Sequence, residues 1–291
     1  MRYNIVRFEA EVLKRISIHD KENRMKVIFC MIFALCGSIF ANSLDSIRQS
    51  GTIKIGIREG RPPLSDSKNG EFEGFEISLA RAIAKGIFGD KKGDIKFIPV
   101  TASERIPSLV NNKVDLVIGS LTITPERSKH IDFSIPYLSV NFGVLTRKAD
   151  AINDISQLKD MKILVEGNAT APEEYLKREK FHNLVRCSTT NECYEMVKNG
   201  QADAYINDNL VVLAYGVIDH ALEVPFKTLG STEFIGVGVS KGNKELLELV
   251  NAELIKLSKE GFFKKAYSNT FEPFYRGLVD KKYFLLDEIY S

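Results

Sequence analysis

The chain has no cluster of basic residues, no histidine pair at a metal-ligand spacing, no phosphate-binding glycine loop and no apolar run long enough for a spanning helix. Its 40 lysines and arginines are scattered among 38 acidic residues, which excludes the continuous basic face that a nucleic-acid backbone requires. His130, His182 and His220 are dispersed and no HExxH segment occurs, so metal catalysis has no support and no cofactor is expected. No GxSxG nucleophile elbow is present either. Gly236-Val237-Gly238 supplies half of a dinucleotide fingerprint without its third glycine and reads as a hinge strand. Cys187 and Cys193 lie six apart, without CxxC spacing or a nearby histidine. They read as structural thiols, either free or joined to each other in an oxidising compartment.

What is present is ordinary globular composition, 44% hydrophobic and 27% charged over 291 residues. At roughly 150 residues per domain that length predicts two lobes, each with its own core. Residues 27–41 (VIFCMIFALCGSIFA) form an uncharged apolar run of 15 after Arg24 and Lys26, short of the ~20 residues of a spanning helix. A basic flank, a short apolar core and the small Ala41 fit a secretory signal. Residues 25–41 are therefore predicted to be a signal peptide for export to the periplasm, and residues 1–24, ahead of Met25, an upstream extension outside the fold. Cys36 offers a lipid-anchor alternative, against which Leu35 stands where a small residue is wanted.

Beyond the leader, periodicity switches repeatedly between strand and helix. Residues 52–58 (TIKIGIR) alternate as a strand, and 76–88 carry Ile77, Ala80, Ile83, Ala84 and Ile87 at helical spacing. A strand at 95–100, a short helix at 104–111 with Ile106, Leu109 and Val110 inward, and a strand at 116–118 follow. The same order recurs in 162–165, 172–180, 184–187, 190–199 and 204–206. The segments KVDLVI at 113–118 and QADAYI at 201–206 superpose at an offset of 88 residues. This is the grammar of two α/β lobes, each a mainly parallel sheet flanked by helices. Strand-like stretches at 140–147 and 234–239 predict a chain that crosses twice, giving a two-segment hinge with lobe one at 42–139 and 236–291 and lobe two at 140–235.

Ligands of open parallel sheets sit beyond the carboxyl ends of the strands. That rule selects Arg58 and Glu59, residues 119–124, and Asn207 and Asp208, with Ser120 and Asp208 again 88 apart. Thr124-Pro125-Glu126-Arg127 opens a helix, and with Ser120 and Thr122 could receive one carboxylate. The plainer alternative is a capping threonine and a solvated arginine.

The run Gly119-Ser120-Leu121-Thr122-Ile123-Thr124-Pro125-Glu126-Arg127, followed by Ile131-Asp132-Phe133-Ser134-Ile135-Pro136-Tyr137, resembles the signature of bacterial extracellular solute-binding proteins of family 3. Gly74-Phe75-Glu76 and Gly261-Phe262-Phe263 resemble that family's early and closing motifs. The resemblance implies a type II periplasmic binding protein fold and an amino acid receptor of an ABC importer, a monomer without catalysis that serves a membrane permease. It also implies that Arg127, helped by Ser120 and Thr122, holds the ligand α-carboxylate. Thr170 would add a second contact, and Asp208 would accept the α-ammonium. Ala169 and Ala171 depart from the family's Gly-Thr-Thr turn. Arg58 replaces a common aspartate and Arg61 a common aromatic, so Arg58, Arg105 and Arg127 together predict an acidic ligand, glutamate or aspartate. Arg58 paired with Glu59 or with a lobe-two acid is the competing arrangement. Rival functions are a receptor for cystine, cysteine or another polar amino acid, and a cyclohexadienyl dehydratase-like enzyme with Glu59, Glu166 or Asp208 as its acid.

Overall fold

The computed structural model describes residues 42–167 and 170–284. The expected signal peptide at 25–41, the extension at 1–24, Cys36 and Ala169 lie outside the described residues. The strands are β1 (Thr52–Ile57), β2 (Asp66–Lys68), β3 (Glu71–Glu73), β4 (Asp94–Pro99), β5 (Leu116–Val117), β6 (Ile131–Arg147), β7 (Ile163–Glu166), β8 (Leu184–Cys187), β9 (Ala204–Asp208) and β10 (Leu222–Ser240). Eight of them form one sheet in the order β4-β1-β5-β10-β6-β9-β7-β8, while β2 and β3 pair as a small hairpin.

Each outer part of the sheet is parallel, β4-β1-β5 on one side and β9-β7-β8 on the other. Between them β10 and β6 run antiparallel to each other and to their neighbours β5 and β9. The strand stretches expected at 140–147 and 234–239 are thus parts of much longer strands of 17 and 19 residues. Their mutual register shifts five times, which bends the ribbon where it passes from one lobe to the other. The bulges also break the alternation that marks a strand in sequence.

Local chemistry explains the elements that carry the site. In β1 the alternating Ile53, Ile55 and Ile57 are fully buried. The helix Phe75–Phe88 starts after Gly74, whose φ of 117° and lack of Cβ are both needed, because a Cβ there would lie 2.5 Å from the Leu64 carbonyl oxygen. Ile77, Ala80, Ile83, Ala84 and Ile87 bury one face of that helix. Val110, expected to point inward, is instead 56% exposed. The helix Arg105–Val110 has only six residues, Leu109 takes its inward face, and the next residue turns about 100° away.

After the helix Lys244–Lys259 the chain continues through Phe262–Ala266, a wide turn at Tyr267–Phe271 and a short helix Glu272–Tyr275. Phe271 stacks on Phe284 with ring centroids 4.0 Å apart. Tyr275 donates to the Leu210 carbonyl at 2.7 Å, and Tyr283 to Asn141 Oδ1 at 2.8 Å. The segment therefore lies against β6 and the helix Asn209–Ile218 as well as against its own sequence neighbours.

Cys187 and Cys193 form a disulfide that ties the end of β8 to the helix Thr190–Lys198. Closing so short a loop is worth roughly 2 kcal/mol in unfolded-chain entropy. Replacing both cysteines with alanine is expected to lower the melting temperature by roughly 4–8 °C in scanning calorimetry. An unchanged melting temperature would show that the bridge adds no stability.

Candidate functional site

The carboxyl ends of β1, β5, β7 and β9 and the loops after them converge on one small polar cavity between the two lobes. Arg61, Arg105, Ser120, Thr122 and Arg127 line it from one side, and Glu166, Thr170, Asn207 and Asp208 from the other. Six of the seven residues expected from the sequence, Arg105, Ser120, Thr122, Arg127, Thr170 and Asp208, thus share its wall. Arg58 does not line it but stands immediately behind, against Glu166. The cavity volume is about 20 Å³, room for roughly one water. An amino acid can therefore enter only if the walls part.

The loop after β5 is held by buried groups on both sides. Ser120 has a φ of 49°, and its N–H and hydroxyl donate to Glu76 Oε1 at 2.7 and 3.2 Å, where the Tyr137 hydroxyl also donates. Arg105 donates from Nε to the Ala102 carbonyl and from Nη1 to the carbonyls of Gly119 and Ser120. Arg127 follows the capping Thr124, which accepts from the Arg127 N–H, and its Nη1 donates to the Thr122 carbonyl at 2.8 Å. Arg127 is only 8% exposed, so the solvated-arginine alternative does not describe it.

On the opposite wall, Thr170 precedes the helix Ala171–Arg178, and its buried Oγ1 has no hydrogen-bond partner. Asp208 ends β9, with Oδ2 3.9 Å from Arg61 Nη1. That Nη1 is likewise buried without a hydrogen-bond partner. Burial pushes the Asp208 carboxyl up, opposed by Arg61, Arg105 and Arg127.

Glu166, at the end of β7, organises the middle of the cleft. It accepts hydrogen bonds from Arg58 Nη2, from Arg61 Nη2 at 2.8 Å, and from the Thr190 hydroxyl, the Tyr205 hydroxyl and Asn207 Nδ2. Its role in binding two arginines carries no sequence motif, because Arg58 is 108 positions away. Arg61 was visible only as an unusual residue in the loop after β1.

Four guanidiniums (Arg58, Arg61, Arg105, Arg127) face two carboxylates (Glu166, Asp208), so the site carries excess positive charge. Burial, then Arg127, Arg58 and Arg61, pushes the Arg105 guanidinium well below its usual range. Burial and Arg61 likewise lower Arg58, although Glu166 opposes them. Burial alone would raise the Glu166 carboxyl, but Arg61 and Arg58 outweigh it and hold the group at about 2. An anion is what this arrangement is built to accept.

A carboxyl depressed on folding stabilises the fold above its unfolded value, and that stabilisation is lost as pH falls toward the folded value. For Glu166 the loss is expected between the ordinary carboxyl range near ~4.3 and its folded value of about 2. Urea melts from pH 6 to pH 2 should show a shallower loss of stability for Glu166→Gln than for the wild type. Glu166→Ala should cost about 3–5 kcal/mol at neutral pH by leaving two buried guanidiniums uncompensated. Equal pH slopes in wild type and Glu166→Gln would contradict this account.

Comparison with known proteins agrees with this geometry. Residues 53–273 match the sequence model of the bacterial extracellular solute-binding proteins, family 3. An ABC transporter glutamine-binding protein of Bacillus subtilis (strain 168) is 30% identical over 81% of this chain and 91% of its own length. An L-glutamate/L-aspartate-binding protein of Pseudomonas aeruginosa is 26% identical over 79% of this chain and 80% of its own. Among solved structures, the solute receptor for L-cysteine of Neisseria gonorrhoeae superposes with a TM-score of 0.77 at 33% identity, covering 82% of this chain and 97% of that one. The architecture is that of the type II periplasmic binding proteins. With a family match over most of its length and the motif residues gathered at one interlobe cavity, the chain belongs to the bacterial extracellular solute-binding proteins, family 3.

Proposed function

We propose that the protein is the periplasmic receptor of an amino acid ABC importer, that it closes its lobes on a free acidic amino acid, glutamate or aspartate, and that it hands this ligand to a membrane permease. The observation that carries the reading is the opposition of Arg105 and Arg127 to Asp208 across one buried cavity. The α-carboxylate meets Arg127 and Arg105 together with Ser120, Thr122 and the unpartnered Thr170 hydroxyl. The α-ammonium meets Asp208. The side-chain carboxylate is taken by Arg61, whose Nη1 has no other hydrogen-bond partner, while Arg58, bound to Glu166, contributes field rather than contact. Two guanidiniums in excess favour the acidic ligand over a neutral one.

In this reading 42–139 and 236–291 form lobe one and 140–235 lobe two, β6 and β10 are the hinge, and the monomer is exported by a signal peptide at 25–41. The similarity of the named relatives, all binding or receptor proteins, supports a transport role over catalysis. Among the acids suggested for a dehydratase, Glu166 is held ionised near 2 and has no proton to donate at neutral pH.

One observation favours a neutral polar ligand such as cysteine: Glu166 already accepts from both Arg58 and Arg61. A thermal-shift panel of the twenty amino acids separates the two readings. A ligand at 100 times its dissociation constant adds about 2.7 kcal/mol, so glutamate or aspartate should raise the melting point clearly. A rise with cysteine alone would replace the acidic reading. Arg127→Ala should weaken every ligand about 10- to 150-fold, the value of one charge-assisted hydrogen bond. Arg61→Ala should erase the preference for glutamate over glutamine, and retention of that preference would remove Arg61 from the ligand.

A further inference from the structure

The cleft holds a second cavity of about 300 Å³, lined by Arg58 and Glu59 after β1, Val100 and Thr101 after β4, and Thr189 and Asn191 around the start of the helix Thr190–Lys198. Its lining interleaves with that of the inner cavity. Arg58 faces the outer space and Arg61 the inner one; Thr101 lines the outer and Ala102 the inner. Glu166 lines the inner cavity and binds Arg58, which lines the outer. Thr190, between the outer-lining Thr189 and Asn191, donates to Glu166 and accepts from Arg61 Nε at 3.2 Å. The Arg58–Glu166 pair, braced by Thr190 and Arg61, is therefore the common wall of the two spaces.

We infer that this ion pair is a partition that fixes the length of the ligand side chain. The inference rests on the reading that the inner cavity holds the amino acid head. With carboxylate and ammonium placed against Arg127, Arg105 and Asp208, a side chain growing outward meets Glu166 and Arg58 before it reaches the larger space. Both residues are about 3% exposed in their side chains, and Glu166 is fixed by five donor residues, so the wall does not swing aside as a surface pair would. The ligand class selected is a polar amino acid whose side chain ends one atom or group beyond Cβ, such as aspartate, asparagine or cysteine, over its homologue with one more methylene.

Isothermal titration of the wild-type protein with three pairs, aspartate and glutamate, asparagine and glutamine, cysteine and homocysteine, tests this directly. In whichever pair binds, the shorter member should be favoured about tenfold or more, the usual effect of one misfitting methylene. Arg58→Ala opens the wall while Glu166 keeps Arg61 as its partner, and should bring the two members within about threefold of each other. Glu166→Gln preserves the wall's volume and should keep the length preference. Equal affinities within the pair in the wild type would overturn the partition, as would an Arg58→Ala variant that melts cooperatively yet keeps the full preference. If Arg58→Ala does not fold, the wild-type ranking decides alone. Failure of all six ligands and of the wider amino acid panel would instead overturn the receptor reading, and the partition with it.

Discussion

Glu166 is the constraint on which the closed cleft depends. Five donor residues converge on this carboxylate; Arg58 and Arg61 come from the loop after β1, whereas Thr190 comes from the start of the helix Thr190–Lys198 and Tyr205 and Asn207 from β9, across the cleft. A buried ion pair is weak evidence for stability in general, since desolvation offsets much of the attraction. Its consequence here is geometric. Two guanidiniums and a carboxylate that cannot leave one another bring the halves together at one point, and the smaller cavity forms beside that point. The Tyr215 hydroxyl, donating to the Gly60 carbonyl at 2.7 Å, adds a second bridge to the same loop.

The framework makes such a meeting possible because both outer groups of parallel strands point their carboxyl ends at the same cleft. β1 and β5 deliver Arg58 and the Gly119–Ser120 turn, while β7 and β9 deliver Glu166 and Asp208. Between them, β6 and β10 carry the chain across twice. Tyr283 bonds Asn141 within β6, and Tyr275 bonds Leu210 in the neighbouring helix, so the carboxyl-terminal segment adds contacts beside the crossing strands. Aromatic packing of Phe271, Phe284 and Phe75 anchors that segment to the first lobe's helix.

What was legible in sequence follows from the range of the interactions. Alternation in β1, the helical face of Phe75–Phe88 and the 88-residue echo of Ser120 in Asp208 are local patterns, and each has its counterpart in the structure. The full extents of β6 and β10 were hidden because bulges interrupt their alternation. Val110 misled because six residues are too few for helical spacing to assign a face securely. Pairing of Arg58 with Glu166 was open only as a class, a lobe-two acid, since nothing in a linear sequence selects one carboxylate among many across 108 positions. The disulfide was equally undecided until the end of β8 was seen beside the next helix.

Under the proposed function, Glu166 also sets the balance between open and closed forms. A ligand shifts that balance only by the contacts it makes in one form and not in the other. Because Arg58, Arg61 and Glu166 already join the lobes, the closed form has attraction of its own, and the ligand adds its contacts to the remaining charges around the smaller cavity. Those are Arg105 and Arg127 on one side and Asp208 on the other, with burial disfavouring charge on all three. Closing without a ligand therefore buries these charges with their desolvation only partly offset by one another, and closing with an amino acid sets its carboxylate and ammonium beside them. Selectivity for a zwitterion then follows from the cost of burying those charges without the ligand's opposite charges beside them, which rises as the wall around them becomes tighter and drier.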